Sequence, residues 1–89
     1  MKCHELKTDH EVFQATLEGR KPWEIRFDDR GFQIGDTLWL RETESTGEDM
    51  RVLGRPLVYT GRFIHVRITY ILQGPIYGLP DGWVVMSVL

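Results

Sequence analysis

Three charged side chains between residues 19 and 26 are the strongest candidates for chemistry. They are Lys21, Glu24 and Arg26, and they follow a single glycine, Gly19. A lysine offers a point charge for a phosphate, an arginine offers a planar fork for a phosphate or a base edge, and a carboxylate can accept from the exocyclic amine of a base. This set predicts a site for RNA or a nucleotide, or an acid–base pair.

The elements around these residues are expected to hold them on one rigid face. The glycine can adopt the left-handed conformation that ends a helix, and the proline three residues later keeps the chain extended. Apolar and charged residues then alternate from Trp23 to Phe27, so that Glu24 and Arg26 share one side of a strand, about 7 Å apart. The sequence predicts that Lys21 enters at the loop end of that face.

The spacing of these residues resembles the signature of a known family. Gly19-x-Lys21-x-x-Glu24-x-Arg26 is similar to the G-x-K-x-x-E-x-R motif of ASCH domains, in the PUA-like β-barrel superfamily. The resemblance covers nearly the whole chain except about residues 43 to 59, and it points to a subgroup of small bacterial and phage proteins whose function is not settled. It implies that the motif lines a binding cleft for RNA.

The helix before the motif has recognisable start and stop signals. Thr8 and Glu11 have the spacing of a capping box, in which each side chain bonds the other residue's backbone amide. Gly19 supplies the stop. We therefore expect one N-terminal helix over about residues 9 to 18, burying Val12, Phe13, Thr16 and Leu17.

Alternating patterns predict strands over most of the remaining chain. The longest lies between Gly61 and Gln73, and a last strand, apolar on both faces, runs from Trp83 to Leu89. We expect a solvated loop over residues 43 to 49, while residues 50 to 59 are either irregular or a short edge strand. Together with the resemblance, this predicts an α+β fold: a small PUA-like β-barrel of five or six mostly antiparallel strands with one N-terminal helix.

Composition limits the class of protein. Eighty-nine residues are expected to form a single domain over residues 1–89, and a net charge of −2 provides no global field for nucleic acid, so RNA must meet a local patch. The single cysteine, Cys3, excludes an internal disulfide, and we therefore expect the protein to reside in a reducing cytoplasm. No apolar run approaches the ~18 residues of a membrane span and no signal peptide is recognised, so we expect a soluble cytoplasmic protein without a membrane partner.

Further residues are candidate contacts for RNA. Unpaired bases stack on exposed rings, and Trp39 on a strand and Tyr77 in a Gly/Pro-rich loop are candidates for such rings. Trp23 shares its side of the strand with other apolar residues and is expected in the core. His4 lies on a strand that the resemblance places beside the cleft. The histidines lack metal-ligand spacing, so neither a metal nor a cofactor is predicted.

Two other functions stay open beside RNA binding. The first is a hydrolase of a modified nucleoside or RNA, amidohydrolase- or ribonuclease-like, with Lys21 and Glu24 as its acid–base pair. Some ASCH proteins hydrolyse acylated cytidine nucleosides with a lysine, a threonine at the position of Glu24 and a glutamate from a later helix; here the threonine is absent and no later helix is predicted. The second is a phage-type accessory protein that binds a protein partner through acidic residues 42–49 and the central apolar strand. Because no nucleophile–base triad is visible, the sequence favours binding over catalysis.

Overall fold

One strand of 15 residues organises the fold. The computed structural model describes residues 1–89. Its elements are, in chain order, β1 (Cys3–Asp9), α1 (His10–Leu17), β2 (Trp23–Phe27), β3 (Thr37–Thr43), α2 (Gly47–Leu53), β4 (Tyr59–Gln73) and β5 (Trp83–Val88). Neither helix has the length and apolar character needed to span a membrane.

The five strands form a single mixed sheet in the order β1-β3-β4-β5-β2. β1 runs parallel to β3, and the other three pairings are antiparallel. The first part of β4, as far as Arg67, pairs with β3, whereas the part from Ile68 onward pairs with β5 after a register shift between Ile68 and Tyr70. The sheet therefore consists of two halves that share β4, and β5 is internal, as its two apolar faces predict.

The backbone ladder stays open between the edge strands β1 and β2. An α+β fold with mostly antiparallel strands is confirmed, but the closed barrel is wrong. Two guanidinium groups span the opening instead: Arg26 Nη2 donates to the Lys7 carbonyl oxygen at 3.0 Å, and Arg30 Nη1 donates to that of Glu5 at 2.9 Å. Side-chain donors thus occupy carbonyls that a neighbouring strand would otherwise bond.

The first helix begins without the expected capping box. Thr8 belongs to β1, is buried, and donates through Oγ1 to the Leu6 carbonyl oxygen at 3.4 Å. Asp9 holds the N-cap position but makes no side-chain cap bond to α1. The prediction fails because pairing with β3 holds the chain in strand conformation as far as Asp9.

The second helix occupies residues that were expected to form a loop or an edge strand. Thr46 Oγ1 accepts from the Asp49 amide at 3.0 Å, and Gly54 ends α2 in the left-handed conformation with φ of 68°. No residue of α2 is buried. Without a buried apolar face there is no periodic signal, so only the threonine cap and the terminal glycine could have revealed this helix.

The core lies against the inner side of the sheet. From α1 only Phe13 is buried; Val12 and Leu17, which the pattern placed in the core, are exposed because this helix is short and rests on β1 and β3 with one side. The main apolar cluster comes from the strands and the segment before β3: Leu6, Phe32, Leu38, Leu40, Ile68, Val84, Met86 and Val88.

Candidate functional site

The charged side of β2 faces inward, opposite to the expectation that its apolar side is core. Trp23, Ile25 and Phe27 are 42%, 45% and 54% exposed, whereas Glu24 is only 2% exposed. Arg26 is half-buried on the same side as Glu24. The predicted alternation of β2 is correct, but the prediction that its apolar side lies in the core is wrong.

A closed network of ion pairs explains why a carboxylate is tolerated there. Lys21 Nζ lies 2.6 Å from Glu24 Oε2 and also donates to the Trp23 carbonyl oxygen at 2.7 Å. Arg26 donates to Glu24 Oε1 through Nε at 3.2 Å and Nη2 at 3.1 Å. Both carboxylate oxygens are engaged, which offsets the cost of burying the charge. Glu24 thus holds the lysine and the arginine in fixed positions.

Two adjoining cavities lie beside this network. One of about 200 Å³ is lined by Lys21 and Glu24, and one of about 460 Å³ is lined by Met50 and Arg51 of α2. Both are also lined by the same three residues, so we treat them as one feature, the cationic cleft. Those shared residues are Lys7, Asp9 and Arg26.

The end of β1 and the start of α2 form the far wall of the cationic cleft. Asp9 Oδ1 accepts from the Gly47 amide at 2.9 Å and so ties the two elements together. Lys7 and Arg51 take part in none of the ion pairs of the structure. Sequence reasoning missed both residues, because Lys7 reaches the cleft only through sheet pairing and Arg51 only through an unpredicted helix.

The hydrolase alternative called for a carboxylate from a later helix. Such a helix exists, contrary to expectation, but its acidic residues Glu48 and Asp49 do not line the cleft. Glu24 itself is held by two cations. The second carboxylate of the cleft, Asp9, accepts from the Gly47 amide, so the arrangement is suited to attracting an anion and not to acid–base chemistry.

His4 is placed in the core and not in the cleft. Its Nε2 lies 2.8 Å from Asp36 Oδ2, and its ring packs edge-on against Phe32 with centroids 4.9 Å apart. The bond from His4, with those from the Lys2 and Gln33 amides, lowers the pKa of Asp36 from 3.8 to about 2. This pair fastens β1 to the turn before β3.

The two candidate aromatic residues also lie away from the cleft. Trp39 sits on the outer side of β3, against the rings of Phe63 and His65. Tyr77 is 90% exposed in the connection between β4 and β5, with a positive φ of 49°. The structure therefore brings together Lys21, Glu24 and Arg26 among the predicted site residues, and it separates His4, Trp39 and Tyr77 from them.

A third buried carboxylate lies beside α1. Glu42, expected in a solvated acidic surface, is buried and accepts from Arg62 Nη2 at 2.7 Å and Thr60 Oγ1 at 2.6 Å. The hydrogen bond from Arg62 holds the pKa of Glu42 below its usual range. Its oxygens are satisfied within the protein, and no cluster of three or more metal-ligating side chains occurs in the molecule. The acidic docking surface is therefore smaller than predicted.

Comparison with known proteins establishes the family. The chain belongs to the family described as domain of unknown function DUF3850, which matches residues 3–88. It is similar to the uncharacterized 12.9 kDa protein in the GpA 3′ region of Escherichia phage P2, with 41% identity over 68 residues. That alignment covers 76% of this chain and 52% of the phage protein, so the chain spans about half the length of this curated relative.

Proposed function

We propose that this member of the DUF3850 family binds RNA, single-stranded or structured, at the cationic cleft, and that its fold is related to the ASCH domains of the PUA-like superfamily. The observation that carries the proposal is the charge balance of the cleft. The two carboxylates of the cleft already accept from protein donors. Four cations line the cleft: Lys7, Lys21, Arg26 and Arg51.

The cleft is a local exception in an acidic protein. The chain has a net charge of −2, so attraction of a phosphate backbone depends on where its cations gather. Lys7 and Arg51 have no acidic partner, and the Nη1 group of Arg26 makes no hydrogen bond within the protein. These donors are available to phosphate oxygens without breaking an existing ion pair.

Glu24 has a positioning role in this proposal and does not read a base. It is almost fully buried, and both of its oxygens accept from Lys21 or Arg26. A base amine would have to displace one of those charge-assisted bonds. The carboxylate instead fixes the two cations at the wall of the cleft, which lowers the entropy that they lose when a ligand binds.

The test is titration of a pool of short single-stranded RNA by fluorescence anisotropy at several salt concentrations. Lys21→Ala, Arg26→Ala and Arg51→Ala should each weaken binding by about 1–3 kcal/mol and reduce the salt slope by roughly one ion. Arg55→Ala is the matched control, because Arg55 is an exposed arginine just beyond α2 that does not line the cleft. Absence of wild-type binding at low salt would overturn the proposal.

A protein partner remains the second candidate because of one surface. On the outer side of the half-sheet formed by β2, β5 and the end of β4, exposed apolar side chains lie on neighbouring paired strands. They are Trp23, Ile25, Phe27, Tyr70 and Trp83, with Phe27 and Trp83 in edge-to-face contact at 6.1 Å. We call this surface the apolar face; surfaces of this kind commonly mark interaction sites.

The apolar face can be tested apart from the cleft. Tyr70→Lys places a charge on the face, at a residue that lines no part of the cleft. A protein bound by this face should be retained by immobilised wild-type protein and lost from the variant, while RNA titration is unchanged. Retention of the same proteins by both would contradict this second candidate.

A further inference from the structure

The strand register assembles a further surface, which shares only Lys7 with the cleft, on the outer side of β1, β3 and the start of β4. Side chains that point away from the core alternate along each strand, and the pairing aligns them in three rows. Paired across the sheet, those rows are Cys3, Thr37 and Arg67; Glu5, Trp39 and His65; and Lys7, Arg41 and Phe63. We call these nine residues the sheet face.

Three rings form the centre of the sheet face. Trp39 and His65 are stacked at 21°, with centroids 6.0 Å apart. Phe63 meets both edge-on, at 5.9 Å from Trp39 and 5.6 Å from His65. Phe63 is 52% exposed and His65 is also exposed. Rings held in place by one another and open to solvent are a suitable support for an unpaired base.

Cations surround these rings. The sheet face carries three cationic side chains, Lys7, Arg41 and Arg67, and one carboxylate, Glu5. Glu5 Oε2 lies 3.0 Å from Arg41 Nη1. The Arg41 guanidinium also lies 3.6 Å from the ring centroid of Tyr59 and is thereby held flat along the surface. The face therefore has an excess of positive charge in a chain whose total is negative, which favours a polyanion over an acidic or neutral partner.

One polar atom in the centre of the face has no partner. Trp39 Nε1 is buried and makes no hydrogen bond within the protein. An indole N–H can only donate, and burying it unpaired is unfavourable. A ligand oxygen, such as a base carbonyl or a phosphate, would provide the missing acceptor after a small shift of the overlying side chains.

We propose that the sheet face is a second binding surface, which takes unpaired bases of a nucleic-acid strand by stacking on Phe63 and His65 while Arg67 and Lys7 contact its phosphates. The inference shares its ligand class with the proposed function but rests on different residues. Lys7 alone belongs to both surfaces, because it lies at the end of β1 beside Arg41 and also lines the cleft. Lys7 pairs with Arg41, which pairs with Phe63, so the shared residue lies in the same row as one of the rings.

The test compares two labelled strands of about twelve units, an oligouridylate and an abasic strand with the same phosphates, a length within the range bound by single small domains. Phe63→Leu keeps an apolar side chain but removes the ring. It should weaken oligouridylate binding about tenfold, the size of one lost stacking contact, and leave the abasic strand unaffected. Arg67→Gln should weaken the binding of both strands and lower the salt dependence of binding by roughly one released ion.

Tyr70→Leu is the matched control, since it removes an exposed ring from the same strand but on the apolar face. It should bind both strands like wild type, and thermal melting should show that all variants are folded. The sheet-face inference would be overturned if Phe63→Leu and Arg67→Gln bound with wild-type affinity while Arg51→Ala lost binding. That result would leave the cleft proposal standing. Loss of oligouridylate binding in Phe63→Leu with undiminished binding in Arg51→Ala would instead support this face and contradict the cleft.

A second copy of this chain on the sheet face would give another pattern. Sedimentation of the wild-type protein would then show a concentration-dependent mass that Phe63→Leu abolishes, and neither strand would bind to the face. That outcome would also overturn the inference.

Discussion

Arg26 on β2 donates through Nη2 to the carbonyl oxygen of Lys7 on β1 at 3.0 Å, across the opening that the backbone ladder leaves between the two edge strands. The same guanidinium donates to Oε1 of buried Glu24. One side chain therefore joins the sheet edges, satisfies a buried charge and lines the cationic cleft. For this reason stability and ligand affinity should change together when Arg26 is altered.

The first prediction separates the shape of Arg26 from its charge. Arg26→Lys keeps the charge but replaces the planar fork by a single nitrogen on a different stem, so the three bonds that Nε and Nη2 make to Glu24 and the Lys7 carbonyl are not reproduced. We expect the free energy of unfolding to fall by about 1–3 kcal/mol in urea titrations, the range for disrupted buried charge-assisted bonds. Arg51→Lys, on the exposed side of α2, should leave the urea midpoint unchanged. A variant of Arg26 as stable as wild type would mean that the side-chain bridge contributes nothing to the closure of the sheet.

The second prediction concerns the buried carboxylate. Glu24→Gln leaves one carbonyl oxygen and an amide donor where two cations approach, so the free energy of unfolding should fall by roughly 1–3 kcal/mol. Non-specific RNA affinity should rise because a negative charge has left the cleft. Glu44→Gln, an exposed substitution with the same change in charge, should alter neither stability nor binding appreciably. Unchanged stability in Glu24→Gln would contradict the network as the reason for its burial.

The third prediction follows from the pKa of Asp36, which is lowered from 3.8 to about 2 by His4 and two backbone amides. A carboxyl whose folded pKa is depressed contributes stability above its unfolded pKa and loses it as the pH falls towards the folded value. The contribution of Asp36 should therefore be complete above pH 4 and decline between about pH 4 and pH 2.

Asp36→Asn provides the measurement, because asparagine does not titrate. Melting temperatures of wild type and variant should differ most above pH 4 and converge as the pH approaches 2. The remaining carboxyl groups are the same in both proteins, so their contributions cancel in the difference. A difference that is constant from pH 6 to pH 2 would show that the Asp36 carboxyl is not responsible.

The fourth prediction tests the helix that the sequence pattern did not reveal. Thr46→Ala removes the acceptor of the Asp49 amide and should destabilise α2 by about 1 kcal/mol. Since α2 buries no residue, the loss should appear locally, as roughly fivefold faster hydrogen exchange of its amides, with little change in the melting temperature. Ser45→Ala, which removes the neighbouring hydroxyl, should leave these amides unaffected. Equal exchange in Thr46→Ala and wild type would mean that another group caps the helix.

Local sequence determined much of the sheet. Alternation from Thr37 to Arg41 predicts that Leu38 and Leu40 point inward, and both are fully buried on β3. Gly19, at φ of 80°, ends the turn after α1, and β2 begins within one residue of the prediction. The spacing of the motif also sufficed to bring Lys21, Glu24 and Arg26 together, because three residues on one loop and strand meet without any distant contact.

Only the tertiary structure decided which side of β2 is buried and how the sheet ends. Alternation defines two sides of a strand, but the side that faces inward depends on what the distant elements supply. Glu24 can face inward because Lys21 and Arg26 offset the cost of burying its charge. Arg26 also bonds the carbonyl oxygen of Lys7, which lies 19 positions earlier in the chain. The contact between His4 and Asp36 likewise joins residues 32 positions apart, which no local pattern contains. Arg51 lines the cleft for the same reason, because the folding of distant segments places α2 beside β1 and β2.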